Sequence, residues 1–103
     1  MSMKIENRKM NGDFKVSEEL TLNGTVGGSA IVTDKGLLVL NGVISQDLIL
    51  EKGSKAELFG TVNGNIYNKG GEVRIKGAVN GSIYKDAGII IIESDAKING
   101  KIY

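Results

Sequence analysis

Gly60-Thr61-Val62-Asn63-Gly64-Asn65-Ile66-Tyr67 is the stretch whose reading decides the fold. It returns as Gly77-Ala78-Val79-Asn80-Gly81-Ser82-Ile83-Tyr84, and again as Ala96-Lys97-Ile98-Asn99-Gly100-Lys101-Ile102-Tyr103. Looser copies precede it from Gly24 to Ile31 and from Gly42 to Ile49, and Met10-Asn11-Gly12-Asp13-Phe14 opens the series as a partial one. The leading small residues stand at 24, 42, 60, 77 and 96, so the spacings are 18, 18, 17 and 19. A near-constant period fixes an architecture before any local assignment is made.

Inside each unit the pattern has period two. Leu20, Leu22, Gly24, Val26, Gly28, Ala30 and Val32 share one parity, as do Ala56, Leu58, Gly60, Val62, Gly64 and Ile66. The residues between them are mostly polar, for example Asn23, Thr25, Lys55, Glu57 and Asn65. Such alternation describes strands with one buried face. Turn-forming compositions interrupt it once per period, at Ser17-Glu18-Glu19, Thr33-Asp34-Lys35-Gly36, Glu51-Lys52-Gly53-Ser54-Lys55, Asn68-Lys69-Gly70-Gly71 and Lys85-Asp86-Ala87-Gly88. The odd residues of the 17 and 19 spacings are expected there.

A β-sandwich joins strands of unlike sequence, with turns every ~8–12 residues. Here whole units repeat, and glycines occupy inward positions in mid-unit. A glycine pointing inward serves a corner, where the backbone bends and no side chain fits. Three short faces separated by corners make one coil of a solenoid, and stacked coils pair as parallel strands. The sequence therefore predicts an all-β fold, a single parallel β-helix (β-solenoid) of about five triangular coils over residues 10–103. Residues 1–9 are expected to form a short N-terminal tail or cap. Five coils at ~4.8 Å give a rod about 24 Å long.

Stacking aligns Val26, Ile44, Val62, Val79 and Ile98 in one inner column. Ala30, Leu48, Ile66, Ile83 and Ile102 make a second, and Leu22, Leu40, Leu58 and Ile75 a third. Asn63, Asn80 and Asn99 form an asparagine ladder of the kind that stacks amide on amide. Ile31, Ile49, Tyr67, Tyr84 and Tyr103 follow the second column directly, so strict alternation points them outward. They contain all three tyrosines of the chain. An exposed apolar and aromatic stripe marks a lateral or partner surface; the competing expectation is that the rings simply cover a corner.

Composition removes several classes of function. The chain has 103 residues, enough for one domain, with 15 glycines and no proline. Thirteen basic and 12 acidic residues leave a net charge of +1, which gives no electrostatic case for nucleic acid or an anionic membrane. No apolar run approaches the ~20 residues of a membrane-spanning helix, and the Met1-Ser2-Met3-Lys4 start lacks the apolar core of an export signal. Cysteine and histidine are absent. That excludes Cys/His metal sites and Ser-His or Cys-His nucleophile pairs, and it suits the cytoplasm. The glycines fit no phosphate-loop spacing. Hexapeptide acyltransferases also build triangular coils, but with a strict hexapeptide period and a histidine base. No catalytic residue, cofactor or metal is expected, and no enzymatic activity.

The segments Gly60–Tyr84 and Gly42–Gly64 resemble the bactofilins, polymer-forming bacterial cytoskeletal proteins, and the resemblance covers residues 10–103. It implies a right-handed triangular β-helix that assembles end to end into non-polar filaments without nucleotide, with membrane or cell-wall-enzyme partners in some members. Bactofilins flank the helix with longer tails, so partner recruitment here is expected to use the outer faces. The sequence thus points to a non-enzymatic scaffold whose partner is itself. The end-to-end surfaces are expected at Ile98, Ile102 and Tyr103 on the last coil and at Met10 and Phe14 on the first. The alternative is a compact binding module, of inhibitor or immunity type, that caps another protein through the tyrosine face.

Overall fold

Parallel ladders account for all the regular structure in the computed structural model, which describes residues 4–103. The first coil is β1 (Lys4–Glu6), β2 (Lys9–Met10) and β3 (Phe14–Val16). The second is β4 (Glu19–Leu22), β5 (Thr25–Val26) and β6 (Ala30–Val32); the third is β7 (Leu37–Leu40), β8 (Val43–Ile44) and β9 (Leu48–Leu50). The fourth runs through β10 (Lys55–Leu58) and β11 (Thr61–Val62) into β12 (Ile66–Ile75), which rounds a corner into the fifth. The fifth continues through β13 (Ala78–Val79) into β14 (Ile83–Ile92), which rounds the same corner into a last coil. There β15 (Lys97–Ile98) is followed by a single bridge from Ile102 to Ile83. The chain is an all-β solenoid of about five turns with three faces per turn.

The inner columns are the core. Leu22, Leu40, Leu58 and Ile75 are buried on the first face, Val26, Ile44, Val62 and Val79 on the second, and Ala30, Leu48, Ile66 and Ile83 on the third. Each coil is sealed by the next, so a core a few side chains wide stays dry. The molecule measures 32 × 24 × 24 Å.

Glycine sets the corner between the first and second faces. A Cβ on Gly42 would collide with the carbonyl oxygen of Gly24, one on Gly60 with that of Gly42, and one on Gly77 with that of Gly60. Only glycine lets successive backbones approach this closely.

Two expectations need correction. First, the β-helix, expected to begin at residue 10 behind a tail or cap of residues 1–9, already includes that segment where the structure describes it, so it is a terminal coil and not a tail. Lys4, Ile5 and Glu6 pair in register with Leu20, Thr21 and Leu22, and the amides of Asn23 and Gly24 donate to the Glu6 carbonyl at 2.7 and 3.1 Å. Backbone pairing needs no apolar side chain, so the ladder extends past the point where the alternation stops. Residues 1–3 lie outside the described residues.

Second, the length changes do not all fall in the predicted turns. Val73 lies beside Ala56, 17 positions on, so the short unit does lose its residue at Asn68–Gly71. The long unit gains its residues elsewhere. Ile92 lies 17 positions beyond Ile75, but Ile98 lies 19 beyond Val79. The two extra residues therefore sit at Glu93–Ala96, between the first and second faces. The predicted turns at Asn68–Gly71 and Lys85–Gly88 are bends within β12 and β14, with Gly70 and Gly88 at φ of 142° and 89° and shifts of register beside them.

Candidate functional site

Three features stand apart from the generic core: the outer tyrosine column and the two ends of the rod. The column is built by register. Lys15, Ile31, Ile49, Tyr67 and Tyr84 are successive neighbours on the third face, one strand apart. Tyr103 continues it, its amide donating to the Ile83 carbonyl at 2.8 Å. Ile31, Ile49, Tyr67 and Tyr84 are half-buried, while Tyr103 is 63% exposed. The rings stack in parallel: Tyr67 on Tyr84 with centroids 5.1 Å apart, Tyr84 on Tyr103 at 4.8 Å, both within 7° of coplanar orientation. The strand spacing imposes this separation, and the rings form an outward ridge rather than a cover over a corner. Asn65 donates to the Tyr67 hydroxyl at 3.2 Å.

Polar ladders run along two of the corners. Asn80 donates to Asn63 at 2.8 Å and Asn99 to Asn80 at 2.7 Å, as expected for the asparagine column. A second ladder, through Asn7, Asn23 and Asn41 at the corner between the first and second faces, went unnoticed in the sequence because the clearest copies of the repeat carry Phe59 and Lys76 there instead. Next to the tyrosines, Asp13, Ser29, Asp47, Asn65 and Ser82 each accept from the backbone amide one coil further on. These bonds tie down corner amides that the ladder itself leaves free.

At the C-terminal end of the rod, the last coil carries Ile98 half-buried and Ile102 56% exposed, with Tyr103 beside them. It also carries residues the sequence reading did not nominate. The run Ile89-Ile90-Ile91-Ile92 is apolar on both parities. Ile90 and Ile92 continue inner columns beside Val73 and Ile75, and Ile89 and Ile91 face outward. Ile89 is 51% exposed and Ile92 39%. Four consecutive isoleucines break the alternation, and that was the signal available in the sequence. Among the described residues, this segment is paired along one edge only, to β12.

Met10 and Phe14, the other proposed end residues, lie at the opposite end, partly buried against the core. The first coil around them is polar. Lys4 and Glu6 occupy the inner parity of the first face, beside Leu20 and Leu22, while Ile5 points outward and is 63% exposed. Lys4 pairs with Glu18 at 3.0 Å and Arg8 with Glu6 at 2.9 Å. The Glu6 carboxylate, by hydrogen bond and by charge, holds the exposed Arg8 guanidinium above its ordinary pKa. An open cleft of about 220 Å³ lies at the adjoining corner, with Phe14, Val16 and Leu20 among its apolar walls and Lys4 and Glu18 among its polar ones.

Asn68 is fully buried in a column that runs through Val16, Val32 and Leu50 and ends on the exposed Lys85. Its side chain donates to the carbonyls of Gly71 and Ile89 at 3.0 and 3.2 Å and accepts from the amides of Gly70 and Gly71 at 3.1 and 2.7 Å. It is the internal brace of the tightened corner, not a ligand site. Among the described residues, no group of three or more Asp or Glu side chains is placed to hold a metal ion, and no helix is long and apolar enough to cross a membrane. No protein-family model, curated protein or solved structure matches the chain.

Proposed function

We propose that this protein is a non-enzymatic cytoplasmic scaffold that self-associates end to end, with the last coil as its docking face. The observation that carries the reading is the chemistry of that coil. Ile89, Ile92 and Ile102 are exposed together at the edge of a parallel sheet. An apolar strand edge is a template for pairing with another strand. The likeness of its repeats to those of bactofilins, which self-associate end to end, supports the same reading. An end face of 24 by 24 Å is small beside the ~800 Å² per partner of a standard interface. Strand pairing along Ile89–Ile92 must therefore contribute, and the affinity is modest.

Light scattering tests the reading. The wild type should associate at micromolar concentration. Ile102→Lys with Tyr103→Lys puts charge on the docking face, changes only two exposed residues of the last coil, and should leave a folded monomer. A variant that keeps the wild-type size contradicts the reading.

The stacked tyrosines favour a second reading, a binding module that captures another protein along the ridge. Tyr67→Ser breaks the ridge one coil inward and leaves the Tyr84–Tyr103 stack of the last coil in place. Capture that is lost while self-association persists would support this alternative.

A further inference from the structure

We propose that the first coil is a built-in terminator, so that assembly stops at two copies joined last coil to last coil. The inference rests on the self-association reading above and adds the rule that limits it. Lys4 and Glu6 stand at inner positions of the ladder, in columns that continue through Leu20 and Leu22 and end at Ile90 and Ile92. On this face the alternation is inverted: the two charged residues take the core parity and Ile5 takes the solvent parity.

A copy docked head to tail would continue those columns, setting Lys4 over Ile90 and Glu6 over Ile92. Both charges would lose water against isoleucine, which neither partner could replace. Burying an ionised group beside apolar side chains is strongly unfavourable. A head-to-head contact would place Lys4 of one copy near Glu6 of the other. The ion pairs with Glu18 and Arg8 already exist in water at little cost. Enclosing them twice over gains some attraction but forfeits hydration, which typically outweighs it. Last coil against last coil has neither difficulty. Across a twofold axis at Ile91, the inner residues Ile90 and Ile92 face each other in antiparallel pairing, which preserves the inward parity. A polar terminal repeat that stops further stacking is the usual device of solenoid proteins.

Sedimentation velocity on the full chain, across the micromolar range, tests the rule. The wild type should plateau at twice the chain mass. Lys4→Leu with Glu6→Leu rebuilds the two columns and should give species above twice the chain mass that lengthen with concentration. Circular dichroism verifies that the variant is folded; if it is not, Glu6→Leu alone carries the same test. A wild type that already grows past two copies overturns the terminator and leaves the self-association reading standing. A folded double variant that still stops at two copies also overturns it. A wild type that stays monomeric overturns the underlying reading, and the two-copy limit with it.

Discussion

The first and last coils hold equivalent places at the two ends of one ladder, yet they are finished in opposite ways. On the first face, the opening coil presents Lys4, Ile5 and Glu6, with charge on the inner parity and each charged residue in an ion pair. The closing coil presents Ile89, Ile90, Ile91 and Ile92, apolar on both parities. Backbone geometry is the same at both, because parallel pairing is indifferent to side chains. The difference lies wholly in what a further coil would meet. One end offers an apolar strand edge, and the other would make any newcomer strip water from charge. A solenoid can therefore carry direction in its ends while its middle repeats almost without change.

The largest expected effect separates the middle from the ends. Val62→Asp puts a carboxylate into a dry column between Ile44 and Val79 and should cost ~3 kcal/mol or more, enough to abolish the folded state. Ile98→Asp lies in the same column but on the half-open last coil, and should cost about 1–2 kcal/mol in urea unfolding. Equal losses would mean that the last coil is as closed as the middle, and would break the comparison.

Next comes the brace at the tightened corner. Asn68→Ala strands two amides and two carbonyls that the side chain now satisfies, and should cost about 1–3 kcal/mol in thermal or denaturant unfolding. A loss under ~0.5 kcal/mol, the range of ordinary surface changes, would show that water replaces the amide without strain.

Much of this was legible in the sequence. The period of Gly60–Tyr67 and its copies gave the coil, and strict alternation identified the inner columns from Val26 to Val79. The glycines at 42, 60 and 77 marked corners because nothing larger fits beneath the carbonyl of the coil before. The ends were less legible, for a physical reason. Sequence patterns report side-chain burial, whereas the ladder is extended by backbone hydrogen bonds. Lys4–Glu6 therefore pairs as a strand without any apolar alternation to announce it. At Ile89–Ile92 the parity did put Ile90 and Ile92 inward, as the register has them; what it did not announce is that this segment, apolar on both parities, stands at an open sheet edge. The tyrosine column was readable as outward, but its stacking follows from strand spacing, which only the register supplies.

Smaller effects refine the contrast. Tyr67→Ser with Tyr84→Ser removes both stacks of the ridge and should cost about 1–2 kcal/mol, with the fold retained. Unfolding of this variant would make the ridge part of the core. Smallest of all is Glu18→Gln, which breaks the exposed pair with Lys4 and should change stability by under ~0.5 kcal/mol. A larger loss would mean that the first coil depends on its ion pairs to stay in the ladder.

Amide hydrogen exchange, followed at dilute and concentrated protein, tests the central claim most directly, because it reads the two ends in one experiment. If the last coil docks and the first does not, amides of Ile89–Ile92 become more protected as concentration rises, while those of Lys4–Glu6 keep the same rates. Protection that grows at Lys4–Glu6, or rates at Ile89–Ile92 that never change with concentration, would contradict the account.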